Sequence, residues 1–181
     1  MISLKSQITR KLLGYFFINP EENLYANELS RKLSLDKRNL LKKMKELESE
    51  GVLLHKKIGN IKLYSINKGY PLYNEYRKII AKTTGFEANL EEILTQIKGV
   101  KQVYIYGSYA KNTMDVHSDV DVLVVGGHSI VALQKQVSKL QKDIGREINV
   151  VNIAEQEFVK KAKDKNSFIY SILRRSHIKV I

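Results

Sequence analysis

Residues 107–121 read GSYAKNTMDVHSDVD, and this stretch decides the fold of the second half of the chain. Ten residues separate Ser108 from Asp119. Asp119-Val-Asp121 opens a strongly apolar run, Val120 to Val125, which predicts a buried strand. Strand side chains alternate, so Asp119 and Asp121 are expected on one face. Two like charges at the start of a buried strand are costly unless a cation pairs with them. Hard oxygen donors suit Mg²⁺ or Mn²⁺, and such an ion can also hold phosphate oxygens. Gly107 would let a phosphate approach the backbone closely. The Ser108 hydroxyl and the N–H groups opening the next turn could donate to that phosphate, with Lys111 adding a cation nearby.

Ahead of this stretch, Val103 to Tyr106 predicts a strand running into Gly107. Beyond Gly126-Gly127 the spacing predicts a helix over Ser129 to Asp143, with Ile130, Leu133, Val137 and Leu140 inward. A strand over Ile148 to Ile153 follows, then one or two helices and a last strand near Ile178 to Ile181. Upstream, residues 72–82 predict a linking helix, and Asn89 to Lys98 another with Leu90, Ile93, Leu94 and Ile97 in phase.

The first part of the chain has a different pattern. Leu4, Ile8, Leu12 and Tyr15 predict a helix over residues 3–18, ended by Asn19-Pro20. A short helix fits Ala26 to Leu33. Asp36 is placed as the N-cap of a third helix reaching Glu50, with Leu40, Met44 and Leu47 inward and Arg38, Lys42 and Lys45 on the other face. Gly51 suits its C-terminal cap. Val52 to Lys57 and Ile61 to Ile66 then read as a hairpin turning at Gly59-Asn60, decorated by Lys56, Lys57 and Lys62.

Residues 1–68 thereby resemble winged helix-turn-helix DNA-binding domains of prokaryotic regulators. The resemblance implies a basic helix for the major groove and a hairpin wing on the backbone. Arg38, Lys42, Lys45, Lys57 and Lys62 are the expected DNA contacts, mostly salt-sensitive phosphate contacts. A winged helix used only for protein contact is the alternative.

Gly-Ser, ten residues and Asp-x-Asp, set between strands, resemble the DNA polymerase β-like nucleotidyltransferases. The spacing resembles the signature of the minimal branch, seen in antitoxin partners of HEPN toxins. That resemblance covers residues 86–181 and leaves 69–85 as a linking helix. It implies a mixed β-sheet flanked by helices, so the whole chain is expected to be of mixed α+β class. It further implies that Gly107 and Ser108, with Lys111 near, hold the triphosphate of an NTP such as ATP. Asp119 and Asp121 would ligate two Mg²⁺ or Mn²⁺ ions, polarising the α-phosphate for attack by a hydroxyl. A third carboxylate normally completes the family's site. In GREINVV, residues 145–151, the matching position is Asn149. An amide can coordinate through its oxygen but carries no charge and takes no proton. Glu147, two residues earlier, is the candidate substitute.

Composition sets limits. The 181 residues contain no Cys, which excludes disulfides, thiol nucleophiles and cysteine-ligated metals. No apolar run approaches a membrane span, and the N-terminus lacks a signal-peptide pattern, so a cytoplasmic protein with no membrane association is expected. The net charge is +12, of which residues 1–80 carry +8, and this points to a polyanionic partner for the first part. Two functions stay open. One is transfer of a nucleoside monophosphate to a protein or RNA hydroxyl, as an antitoxin-type regulator. The other is a DNA-binding transcriptional regulator whose transferase domain is catalytically degenerate and binds nucleotide or a partner. A HEPN-type partner and a homodimer are expected in either case.

Overall fold

The computed structural model describes residues 2–115 and 117–181. The chain divides into two compact units, residues 1–88 with 143–145, and residues 89–142 with 146–181.

The first unit contains α1 (Gln7–Ile18), β1 (Leu24–Tyr25), α2 (Ala26–Leu33), α3 (Lys37–Ser49), β2 (Leu53–Ile58), β3 (Ile61–Ile66) and α4 (Tyr73–Thr83). Helix α1 begins later than the apolar spacing suggests. The Ser6 hydroxyl accepts from the Thr9 N–H and sets the start, leaving Leu4 outside the helix. Asp36 caps α3 by accepting from Asn39 N–H at 2.9 Å. At the other end Gly51 (φ +75°) closes a Schellman turn, with Val52 N–H donating to Leu47 carbonyl and Gly51 N–H to Glu48 carbonyl. Leu40, Met44 and Leu47 are buried with Leu12, Leu13, Phe16, Leu29 and Tyr64 in one core. The strands form an antiparallel sheet of order β1-β3-β2, with Ile58 opposite Ile61 across the Gly59-Asn60 turn. Tyr76 and Ile80 of α4 also join this core.

Helix α5 (Phe86–Thr95) starts and ends three residues earlier than expected. Thr95 bonds back to the Glu91 and Glu92 carbonyls, and Gly99 (φ +94°) turns the chain.

The second unit continues with β4 (Val100–Tyr106), α6 (Gly107–Lys111), β5 (Val120–Gly126), α7 (Ile130–Ile144), β6 (Ile148–Ile153), α8 (Glu155–Lys163), α9 (Phe168–Arg174) and β7 (Ile178–Lys179). Asp143 and Ile144, the last two residues of α7, fall with the first unit, as does Gly145. The mixed sheet has the order β6-β5-β4-β7: β4 is antiparallel to both neighbours, and β5 and β6 are parallel. Val103, Ile105, Val122 and Val124 fill one face and are wholly buried. Tyr104, Leu123, Val125 and Ile153 point the other way and pack with Phe158, Ile169 and Ile172 of α8 and α9. Ile130 is 58% exposed, contrary to its expected inward position. It sits in the open first turn of α7, whose buried positions in this unit are Leu133, Val137 and Leu140. No helix of the described residues is long and apolar enough to cross a membrane.

Candidate functional site

Antiparallel pairing of β4 and β5 places Tyr106 opposite Asp121, and parallel pairing of β5 and β6 places Asn149 opposite Asp121. By alternation, Asp121 continues the face of Leu123 and Val125, and Asn149 continues that of Val151 and Ile153. Asp119 stands just ahead of β5. Its Oδ2 accepts from the Asn149 amide nitrogen at 3.1 Å.

The acid pair is electrostatically uncomfortable. Burial pushes the Asp121 carboxyl above its ordinary range, and the Asp119 charge pushes the same way. A hydrogen bond from Asn149 works against both. Across the ladder, Tyr106 is pushed up by burial and then by the Asp121 carboxylate.

Gly107 has φ +73°, and a Cβ there would collide with the Asp121 carboxylate. The backbone where β4 turns into α6 therefore lies directly against that side chain. Only glycine serves at this point, for both the left-handed backbone and the close approach. Ser108 follows in the one-turn helix α6, and Lys111, exposed, ends it. Asn112 leaves the turn in the left-handed region (φ 60°).

The loop leading to Asp119 is held by Arg146, which sequence reasoning did not single out. Its Nη1 donates to the Asp115 carbonyl at 2.8 Å and the Ser118 carbonyl at 2.6 Å. Asp115 accepts from His117 N–H and from the Ser118 hydroxyl, both at 2.9 Å, and these bonds hold its carboxyl below the usual range. Asp115 is thus a loop-building residue, and His117 is exposed. Val120 N–H donates to the Glu147 carbonyl, fixing the start of both strands. The only sequence signal for Arg146 is a lone cation between Gly145 and a strand.

Among the described residues no three His, Asp or Glu side chains come together as a metal cluster. Glu147 is exposed ahead of β6 and does not complete one with Asp119 and Asp121. The side chain the fold brings to the pair is Asn149.

In the first unit Arg38, Lys42 and Lys45 are all exposed on α3. Lys57 and Lys62 face each other across the hairpin. Glu48 lies 3.8 Å from the Lys62 ammonium and 2.6 Å from His55 Nδ1, so the Lys62 charge is partly countered.

The family model described as the nucleotidyltransferase domain matches residues 87–176. A curated relative from Methanocaldococcus jannaschii, named as a protein adenylyltransferase, is 35% identical over 71 residues, covering 35% of this chain and 76% of the relative. Among solved structures, a toxin–antitoxin complex with AMP-PNP aligns at TM-score 0.39 and 16% identity over 52% of this chain and 72% of that one. A nucleotidyltransferase of Sulfolobus solfataricus aligns at TM-score 0.30 and 23% identity over 41% and 68%. The matched family segment spans the acid pair, the glycine beside it and the strand that carries Asn149: this chain belongs to the nucleotidyltransferase family.

Proposed function

We propose that the chain binds a nucleoside triphosphate with Mg²⁺ or Mn²⁺ and transfers its nucleoside monophosphate to a hydroxyl of a protein or RNA. The observation that carries this reading is the Asp121 carboxylate packed against the Gly107 backbone with Asp119 beside it. The residues suit a hard divalent cation. Two carboxylates crowd one face, and one is partly desolvated with its charged form disfavoured, a balance that a cation reverses. When bound, the ion supplies charge neutralisation at the α-phosphate and the leaving pyrophosphate.

The chain's own groups do the rest. Gly107 admits a phosphate against the backbone, and the Ser108 hydroxyl donates to it. Lys111 adds positive charge at the rim. Asp119 and Asp121 hold the cation, and Asn149 and Arg146 keep them in place. ATP is the favoured substrate and a protein the favoured acceptor, supported by the name of the Methanocaldococcus relative. A HEPN-type partner is the first acceptor to test. Labelled ATP with Mg²⁺ should mark an acceptor, and Asp119→Ala with Asp121→Ala should abolish the mark. A mark that survives in this double variant would sink the reading.

The first unit, in this proposal, is a winged helix-turn-helix. Its α2–α3 pair and β2–β3 hairpin support that reading, as do the exposed cations Arg38, Lys42, Lys45, Lys57 and Lys62. It would bind DNA as a homodimer. Asn149 favours a second reading, a DNA-binding regulator in which the transferase unit binds nucleotide without turning it over. Nucleotide binding without transfer to the chain itself, a partner or RNA distinguishes it.

A further inference from the structure

Asn149 stands in register with Asp121, and its amide nitrogen lies 3.1 Å from Asp119 Oδ2. The same side chain favours the ionised form of Asp121, its partner across the ladder. A carboxamide has two N–H hydrogens, enough for one neutral group to serve both acids. The hydrogen given to Asp119 occupies a carboxylate lone pair that would otherwise face a cation.

The charges on this face are few. Asp119 and Asp121 contribute two negative charges when ionised, and Asn149 contributes none. No third His, Asp or Glu of the described residues joins them. Two carboxylates neutralise one divalent cation. A second, a few ångströms away, would meet the first one's repulsion with only the amide oxygen as an added protein donor. The triphosphate brings oxygens for the ion it travels with, so any shortage falls on an ion the protein alone must hold.

We infer that this site holds one divalent cation with a bound nucleoside triphosphate, and that Asn149 sets that number. The inference rests on the nucleotide-binding reading above. Asn149 is a positioning residue here. It clamps the acid pair from the side and leaves no charge for a second ion.

The test counts Mn²⁺ bound per protein by the loss of the free-ion electron paramagnetic resonance signal. It is done with the full chain, saturated with a non-hydrolysable α,β-methylene ATP analogue. One Mn²⁺ per bound analogue is expected for the wild type and for Asn149→Ala, and two for Asn149→Asp. Two in the wild type, or equal counts in the wild type and Asn149→Asp, overturns the inference and leaves the nucleotide-binding reading standing. A wild type that binds neither analogue nor Mn²⁺ overturns both. Should Asn149→Asp fail to fold, Asn149→Glu takes its place: two Mn²⁺ are expected, and a count equal to the wild type's overturns the inference.

Discussion

Asn149 stands opposite Asp121 across the parallel β5–β6 pair and donates to Asp119, so one neutral side chain is tied to both acids, by register to one and by a hydrogen bond to the other. The pair is held close at the expense of its own ionisation. Burial and Asp119 raise the Asp121 carboxyl more than the Asn149 bond lowers it. A carboxyl shifted in this way makes the stability of the fold depend on pH.

The direction follows from linkage. A raised folded value means that the native state binds the Asp121 proton more tightly than the unfolded chain does. Asp121's contribution is then most favourable below the ordinary carboxylate range and is lost as pH rises through the raised value. Asp121→Asn removes the ionisable group. Its melting temperature should exceed that of the wild type at pH 7–8 in chelator, and the gap should close toward pH 3–4. Added Mg²⁺ should raise the wild-type melting temperature and leave the variant's unchanged. Thermal melts across pH, with and without the ion, check both outcomes.

Gly107→Ala tests the close approach. The residue's left-handed backbone alone costs a non-glycine about 1–2 kcal/mol. The new methyl group also displaces the Asp121 carboxylate. Urea unfolding should show at least that loss, and Mn²⁺ affinity should fall together with it. A variant with wild-type Mn²⁺ affinity would separate Gly107 from the acid pair.

Arg146→Ala removes the donor to two loop carbonyls. Hydrogen bonds from a charged donor are worth about 1.5–3 kcal/mol each, less here because Asp115 is exposed. The greater effect should be on the site. Asp119 follows the clamped segment directly, and loss of such supporting contacts typically weakens metal binding about 10-fold or more. Mn²⁺ titration of Arg146→Ala and Arg146→Lys should show that weakening, with partial recovery in the lysine variant, whose ammonium keeps a charged donor on a differently shaped side chain.

The parts of the fold that are readable from sequence are those with local signals. The limits of α2 follow from its spacing, α3 from the Asp36 cap and Gly51, and the hairpin from Gly59-Asn60. The start of α1 is obscured because Leu4 keeps the apolar period going past the Ser6 cap. The exposure of Ile130 is hidden for a related reason, since a stripe does not tell which end of a helix overhangs its core. In the second unit the Gly-Ser and Asp-x-Asp spacing places Gly107 and the acids together, because one turn and one hairpin join them. The reach of Arg146 back to Asp115 and Ser118 spans about thirty residues and depends on where β6 begins. The Asn149 bridge likewise exists only once β6 pairs parallel to β5.

Duplex DNA binding by the first unit should be set by phosphate contacts. The five exposed cations lie on one helix and one hairpin, and each that neutralises a phosphate releases counterions. If all five engage, the logarithm of affinity should fall with the logarithm of salt at a slope of about −4.5 per protomer. Lys42→Ala should reduce that slope by about 1 and weaken all sequences alike. Lys62→Ala should do less, because Glu48 already offsets part of its charge. A duplex titration over several salt concentrations distinguishes these values. Slopes near zero, unchanged in either variant, would count against phosphate contact by α3 and the hairpin.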